Sequence, residues 1–541
     1  MSNWYDVIFL SLIWLLTIGL RVITRLLCPR MRGADTYTHL ALADLIRKNH
    51  LRVPYRNETF VLEKVWRYPW FFHQFLALFP RRMLERTEGY ISAFVDAAHV
   101  TIVYSFAKWV AALPELVSYR LDPICVAVVS GLTFAVTPAL IVLGVGPRVS
   151  EATPRPFGEL LFTLSLVSGL FYAYSGTIWA AMASMFFVGL MLLSSKFAAQ
   201  AFIVTCFLLA LWSQDFFFLI LILLGAAAAF ILSWGRYRDI FYGQIQHLWF
   251  YQNRMASLHP ILQRRNSLRE LMVLPRLIFT NPGQATQTLL YNNTIILTIL
   301  RNPFLVVLAL ILLSVETWSL RTILIRFLLG WVISALVAFL ATSLRPLFFL
   351  GEAERYVEYA IPAISILVAL GLNVAHSALL GLTWILAIVW SLAVIIFHYW
   401  IDTRSYKARR RGMPSEDELV EWLRNLEYRQ TILLVPMFTM MRVRLPYETN
   451  HQLLDFGNDF GMHRISEIDV LCDPSHFFWP RANLQDLTKK HGVTLVIVQP
   501  NKLKADIRET AYYDFSGFCK IFENQSYIVY STQGDVEIAS R

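Results

Sequence analysis

Repeated long apolar runs are the feature that most constrains this chain of 541 residues. The hydrocarbon core of a bilayer is about 30 Å thick, so a crossing helix needs roughly 20 apolar residues. By that measure the sequence holds eleven candidate spans, and 56% of its residues are apolar against 16% charged. This apolar excess is too large for one soluble core. We therefore expect a polytopic α-helical membrane protein with eleven transmembrane helices, to within two.

The expected spans are residues 6–27, 90–112, 123–145, 156–174, 176–194, 197–212, 215–233, 303–319, 322–343, 355–373 and 377–400. The remaining C-terminal residues have a soluble composition. There, strand-like segments such as 493–498 alternate with a helix-like segment at 483–491, as in a small α/β domain. We predict a transmembrane domain at 1–402 and a soluble α/β domain at 403–541.

The polar segments are expected to share one side of the membrane. Eleven crossings place loop 28–89, loop 234–302 and the C-terminal domain on the same face, which we take to be the active face. Intramembrane charge is sparse, whereas a channel or rocking transporter usually needs polar groups midway through its helices. The net charge of +10 lies in the loops, which favours anionic lipid or a phosphate-bearing substrate over nucleic acid. These features favour a one-sided reaction chamber.

A first candidate site follows the first span, in the segment from Gly33 to Leu40. Asp35 lies there at a membrane surface, close in sequence to His39. A carboxylate so placed could act as a general base on an acceptor or bind a divalent cation. It could equally cap the following helix, because Asp is a common N-cap residue. The two roles are compatible.

Two further segments carry charge at the entrance to a span. Arg148 and Arg155 flank the start of the fourth span, where guanidinium groups and helix N–H groups suit phosphate or mark a lipid headgroup boundary. Arg345 precedes the tenth span, and the run 352–359 enters that span. That run holds three Glu and one Arg. Charged side chains at a membrane entrance cost free energy unless they form ion pairs or take part in function. Ion pairs at i,i+3 or i,i+4 account for some of them.

Taken in order, these features resemble the GT-C superfamily of membrane glycosyltransferases. The resemblance rests on the acidic motif at 33–40, on Pro154-Arg155-Pro156 opening a mid-chain helix, on Glu354-Arg355-Tyr356 before a late span, and on a C-terminal α/β domain. There is distant similarity to protein mannosyltransferases and to oligosaccharyltransferase catalytic subunits. The Trp-Trp-Asp-Tyr-Gly block of the latter is absent, which favours transfer of a single sugar.

The resemblance implies a polyprenyl-phosphate-linked sugar donor, a lipid, glycan or protein acceptor, and transfer with inversion. Asp35 would be the catalytic base or a metal ligand, and a divalent cation such as Mg or Mn would be bound by Asp35 and Glu151. The implied residues are Arg155, Arg345 and Arg355 for the carrier phosphate, and Tyr37, His39, Glu151, Glu352 and Tyr356 for the substrate.

Three alternatives stay open at this point. One is an oligosaccharyltransferase-like enzyme or polysaccharide ligase that uses a diphosphate-linked glycan. Another is a flippase or transporter of lipid-linked glycans, for which basic cavities are also expected. The third is a subunit that kept the fold and lost activity. An enzyme should not tolerate Asp35→Asn, whereas a flippase should.

The expected location is the inner or plasma membrane, or the endoplasmic reticulum, with the active face outside the cytoplasm. The positive-inside rule points the other way, because eleven Lys and Arg residues lie in loop 28–89 and eight in loop 234–302. Anionic carriers would also attract Arg to the active face, and we keep the orientation that the resemblance implies. Among the five cysteines, Cys472 and Cys519 could form one disulfide in the soluble region.

Overall fold

The computed structural model describes residues 3–29, 32–141, 148–149, 151–255, 267–288, 293–314, 322–410, 413–457, 459–473, 476–505 and 513–533. It divides the chain into two compact units. The first, called the helical unit, comprises Met1–Arg30, Thr87–Tyr237 and His259–Asp402. The second, called the mixed unit, comprises Met31–Arg86, Arg238–Leu258 and Thr403–Arg541. The two-domain division expected at residue 402/403 stays a prediction.

Helices dominate the described chain. They are Asn3–Leu27, Ala34–Lys48, Phe71–Ala77, Arg81–Ala111, Pro123–Val136, Pro154–Ser175, Ile178–Leu192, Lys196–Ser213, Phe217–Leu232, Tyr237–Phe250, Ser267–Thr280, Pro282–Gln287, Thr294–Arg301, Pro303–Ser314, Ile323–Thr342, Ala353–Glu358, Ile361–Ala375, Ala378–Arg409, Met413–Arg424, Met441–Glu448, Ile465–Leu471, Leu484–His491 and Pro500–Ala505. Short 3₁₀ turns include Pro138–Leu140 and Arg345–Leu350.

Every predicted span contains a helix, and the tenth contains two, Ala353–Glu358 and Ile361–Ala375. The count of eleven crossings is nevertheless not established. Six described helices are long and apolar enough to cross a membrane, and a seventh crossing results if the pair Thr294–Arg301 and Pro303–Ser314, bent by 81°, counts as one. Four other apolar helices are shorter than that length requires. Two of them meet a local break, at Pro138 and at the left-handed Gly176 (φ 67°). Parts of two predicted spans, residues 142–145 and 315–319, lie outside the described residues.

The helix Pro154–Ser175 shows how the sequence sets its own boundaries in the helical unit. Thr153 is the N-cap and its side chain accepts a hydrogen bond from the Arg155 N–H, while Pro154 occupies the first helical position. Both are favoured at helix starts. The helix ends at Gly176, whose positive φ suits a residue without a Cβ atom. This geometry fixes Arg155 in the first turn.

The mixed unit contains a five-stranded sheet. Its strands are β1 (Thr431–Val435), β2 (Gln452–Leu453), β5 (Leu495–Val498), β6 (Cys519–Glu523) and β7 (Ile528–Ser531), in the order β2-β1-β5-β7-β6. A second, two-stranded sheet pairs β3 (Cys472–Asp473) with β4 (His476–Pro480). The strand at 495–498 and the helix Leu484–His491 match the segments predicted to form them. The C-terminal region is thus an α/β fold.

Both faces of the large sheet are buried. In β1, Leu433 and Val435 belong to one hydrophobic cluster, and Ile432 and Leu434 to another. Successive side chains of a strand point to opposite faces, so alternation of this kind places one core on each side. A residue of the first loop also pairs with the edge of the sheet: Phe60 forms a parallel bridge with Leu453 of β2.

The five cysteines are free thiols, including Cys472 and Cys519. The disulfide that the sequence allowed between these two is therefore absent from the structure. Cys472 is buried beside the Met437 thioether, whereas Cys519 lies partly exposed in β6. Burial raises the pKa of the Cys472 thiol well above its usual range, which disfavours the thiolate.

Candidate active site

A buried charge network lies in the helical unit, where sequence reasoning expected sparse charge. Asp96 accepts hydrogen bonds from Arg21 and from both terminal nitrogens of Arg148, the latter at 2.6 and 2.8 Å. Arg148 also donates to Glu159, with Nη2 and Oε2 2.5 Å apart. All four side chains are at most 2% exposed. Two arginines thus face two carboxylates without net charge, which makes Arg148 a structural residue rather than a headgroup marker.

Arg155 extends this network towards the start of the tenth predicted span. Its Nη2 lies 2.5 Å from Oε1 of Glu358, and its Nε lies 3.2 Å from Oε2 of the same carboxylate. Its Nε is also 3.6 Å from Oε1 of Glu159. Paired N–H donors on one carboxylate are the geometry in which a guanidinium also binds phosphate. Arg155 is therefore held in place, buried, at the N-terminus of a helix.

Two more arginines border the same acidic segment. Arg355 forms an ion pair with Glu352, with Nε and Oε2 3.2 Å apart, and its guanidinium carbon lies 5.2 Å from the centre of the Phe197 ring. Arg301 is in electrostatic range of Glu354, Glu358 and Arg155. We call Arg155, Arg301 and Arg355, with Glu352, Glu354 and Glu358, the arginine cluster.

The arginine cluster contains three cations and three acids. An incoming phosphate must therefore compete with carboxylates for guanidinium groups. The Arg355–Glu352 pair is the more open, with side chains 22% and 18% exposed, whereas Arg155 and Glu358 are 9% and 6% exposed. Exposed pairs contribute little to stability and exchange more readily than buried ones. Arg355 can therefore leave its carboxylate partner for a ligand at a lower cost in free energy than Arg155 can.

Other implied residues of the helical unit have defined surroundings. Tyr356 is 1% exposed, and its hydroxyl accepts from Gln200 (2.8 Å) and donates to the Leu350 carbonyl (3.0 Å). Glu151 is buried, and its backbone carbonyl accepts from Ser92. Arg345 begins the 3₁₀ turn Arg345–Leu350, but its side chain lies outside the described residues. The substrate and phosphate roles of these residues stay predictions.

Asp35 belongs to the mixed unit, in the first turn of the helix Ala34–Lys48. The N-cap is Gly33, with an extended backbone and no side-chain cap. The expected capping role of Asp35 is therefore wrong: the helix begins two residues earlier than that role requires. Asp35 is half-buried, and within the described chain its carboxylate makes no side-chain hydrogen bond or ion pair. A carboxylate in the first turn of a helix interacts favourably with the helix dipole.

Tyr37 and His39, on the same helix, are both buried. The Tyr37 ring centre lies 6.1 Å from that of Tyr447 and 5.7 Å from the Arg444 guanidinium carbon, and burial raises the pKa of its hydroxyl. His39 Nδ1 lies 2.8 Å from His73 Nε2. Burial, and then the proximity of His39, holds the pKa of His73 well below its usual range. His73 is consequently neutral at pH 7, and both rings sit within packed side chains.

A divalent cation has no evident ligand set in the described residues. No group of three or more His, Cys, Asp or Glu side chains that could hold a metal ion occurs there. The metal-binding roles that the resemblance implies for Asp35 and Glu151 stay predictions. We derive no chemical step through a metal.

Comparison with solved structures identifies the architecture. Over 100% of both chains, the structure matches ArnT from Cupriavidus metallidurans bound to undecaprenyl phosphate, with a TM-score of 0.55 and 10% sequence identity. The chain has the GT-C fold. The apo state of the same ArnT matches with a TM-score of 0.54 and 10% identity, covering 100% of this chain and 99% of that one. No protein-family model and no curated protein matches the sequence.

The fold agrees with the one that the resemblance to the GT-C superfamily implies. It also shows what sequence reasoning missed. Arg301 was not singled out, although its place directly before Asn302-Pro303 and an apolar span is a detectable signal. Arg21 lies inside the first span, and an arginine there is costly enough to demand a partner. Its partner Asp96 lies 75 residues away.

Proposed function

We propose that the protein is an integral-membrane glycosyltransferase that moves a sugar from a polyprenyl-phosphate carrier to an acceptor, with inversion. The observation that carries the proposal is the arginine cluster within a GT-C fold, since ArnT, which shares this fold, was crystallised bound to undecaprenyl phosphate. Arg155 and Arg355 would bind the carrier phosphate, with Arg301 as a further cation. The fold likeness and the guanidinium geometry support this assignment.

The proposed step is one displacement at the anomeric carbon. The acceptor hydroxyl oxygen forms the new bond to that carbon as the bond to the carrier phosphate oxygen breaks. The acceptor proton passes to the Asp35 carboxylate, and the bonding electron pair leaves with the phosphate. Guanidinium groups offset the growing negative charge, and a phosphate leaving group needs no protonating acid. One carboxylate therefore suffices, unlike the facing pair of a glycoside hydrolase.

The site would face away from the cytoplasm, as expected from the resemblance. Its donor would be a hexose or pentose, and its acceptor a lipid, glycan or protein, as in construction of a cell envelope. Tyr37, His39, Glu151, Glu352 and Tyr356 would shape the substrate site. Burial of the tyrosine hydroxyls and the imidazoles points to a supporting role for these rings, behind the groups that touch the sugar.

The test is transfer of radiolabelled sugar from a panel of polyprenyl-phosphate sugars by purified protein in lipid. Asp35→Asn should lower turnover by about 10²–10⁴-fold, the usual contribution of a general base. Asp239→Asn is the matched control, because Asp239 also lies in the first turn of a helix and is partly exposed. It should leave turnover unchanged.

The other outcomes distinguish the alternatives. Equal turnover in wild type and Asp35→Asn would remove Asp35 from the chemistry. Turnover with a diphosphate-linked glycan only would establish the ligase-type enzyme. Movement of a lipid-linked glycan across the bilayer without transfer, unaffected by Asp35→Asn, would establish a flippase and refute the proposal.

A further inference from the structure

The mixed unit contains a cleft whose lining includes neither Asp35 nor any member of the arginine cluster. Its volume is about 760 Å³, within the range of about 300–1,000 Å³ typical of small-ligand sites. One wall is the second half of the helix Ala34–Lys48, with Glu58 and Arg81 beside it. The other walls are residues 423–429 and 446–451. Asp35 and its first helical turn do not line this cleft.

The walls of the cleft are held together by hydrogen bonds. Arg424 Nε donates to the Glu448 carbonyl at 2.8 Å. His451 Nδ1 accepts from the Gln430 N–H at 3.0 Å, so its Nε2, 2.7 Å from the Leu423 carbonyl, carries the proton. Burial lowers the pKa of His451, which keeps it in this neutral form. A site with fixed walls loses less conformational entropy when a ligand binds.

The charges that line the cleft are numerous but balanced. They are Lys48, Arg81, Arg424 and Arg429 against Asp44, Glu58, Glu427 and Glu448. A nucleic-acid site would show an excess of cations. Guanidinium and ammonium groups donate hydrogen bonds, and carboxylates accept them. Neighbouring hydroxyl groups of an uncharged ligand can use both kinds of partner at once.

An aromatic side chain stands at the edge of the same cleft. Tyr428 is 76% exposed, so the face of its ring is open to a ligand. A tyrosine offers an apolar face and a polar tip, the combination that packs against the C–H face of a sugar ring while leaving its hydroxyl groups free for hydrogen bonds. Tyr447 differs, since Arg81 covers its ring at 4.6 Å.

We propose that this cleft binds an uncharged oligosaccharide, with Tyr428 as its aromatic platform and the paired charges as hydrogen-bond partners for the hydroxyl groups. Its biological role, holding the glycan part of an acceptor or product, rests on the proposed transferase function. Sugar binding itself does not, because the cleft residues exclude Asp35 and the arginine cluster. The two proposals can thus fail separately.

Saturation-transfer NMR on the full chain in lipid nanodiscs tests the cleft. The probes are neutral cello-, malto- and chito-oligosaccharides of two to six sugars, with inorganic phosphate as the anionic comparison. Tyr428→Ala should weaken binding of the best oligosaccharide by about 10-fold, because an aromatic contact of this kind contributes roughly 1 kcal/mol or more. Tyr55→Ala is the matched control, since Tyr55 is 64% exposed in the same unit and does not line the cleft.

Glu427→Gln supplies a second variant that keeps the side-chain volume. It should weaken oligosaccharide binding and leave the melting temperature unchanged, which separates ligand contact from folding. Equal binding by Tyr428→Ala and Tyr55→Ala would overturn the proposal. So would binding of phosphate in preference to every sugar, or no saturation transfer to any oligosaccharide. If the wild-type protein binds an oligosaccharide but transfers no sugar, that result counts against the transferase function alone.

Discussion

Replacing Asp96 with Asn should destabilise the helical unit strongly. The carboxylate accepts three hydrogen bonds from Arg21 and Arg148, and all three side chains are at most 2% exposed. Removing one partner of a buried ion pair costs about 3–5 kcal/mol, because the opposite charge stays buried without compensation. Arg148 keeps Glu159, and Arg21 keeps the Ala135 carbonyl at 3.0 Å. We therefore expect a loss of about 3 kcal/mol, at the lower end of that range.

Reversible unfolding of the protein in mixed micelles measures this loss. Glu115→Gln is the control, because it removes an exposed carboxylate in the same unit and should change the free energy of unfolding by less than about 0.5 kcal/mol. The double variant Arg21→Met/Asp96→Leu should recover most of the loss, since an apolar pair often replaces a buried ion pair without cost. A loss below about 1 kcal/mol for Asp96→Asn, or no recovery in the double variant, would refute the reasoning.

Two further predictions concern stability. Burial and the charge of Asp455 raise the pKa of Glu63 well above its usual range, so stability should fall as pH rises from the unfolded pKa of Glu63 to its folded value. Glu63→Gln should remove that slope from pH-dependent denaturation and stabilise the protein at pH 7, and an unchanged slope would contradict this. An added Cβ at Gly225 would lie 2.1 Å from Val188 Cγ1; Gly225→Ala should therefore cost about 1–3 kcal/mol in thermal unfolding. Gly381→Ala, which meets nothing within 4 Å, should not.

Local patterns account for what the sequence predicted correctly. Each apolar run became a helix because length and composition act over neighbouring residues. The strand at 495–498 was equally visible, since a short apolar run with β-branched residues bounded by turns favours a buried strand. Composition alone does not determine the number of crossings, because Pro138 and Gly176 shorten helices that composition would extend.

The sequence does not show which residues far apart in the chain form pairs. Arg155 was recognised as a phosphate candidate, but its partner Glu358 is 203 residues away and nothing local connects them. The local sequence allows Asp35 to cap its helix, yet Gly33, which has an extended backbone, is the N-cap residue. Such choices depend on which elements pack together, and a single sequence does not display that packing.

The parallel bridge between Phe60 and Leu453 has a consequence for biosynthesis. Val61 donates its N–H to the Leu453 carbonyl, and the Leu453 N–H donates to the Thr59 carbonyl. The first loop therefore waits for nearly 400 further residues before its hydrogen-bond partner leaves the ribosome. Closure over such a separation is slow compared with local helix formation. Until the segment around Leu453 has been synthesised, the first loop lacks these hydrogen bonds, so this edge of the sheet is completed only late in the synthesis of the chain.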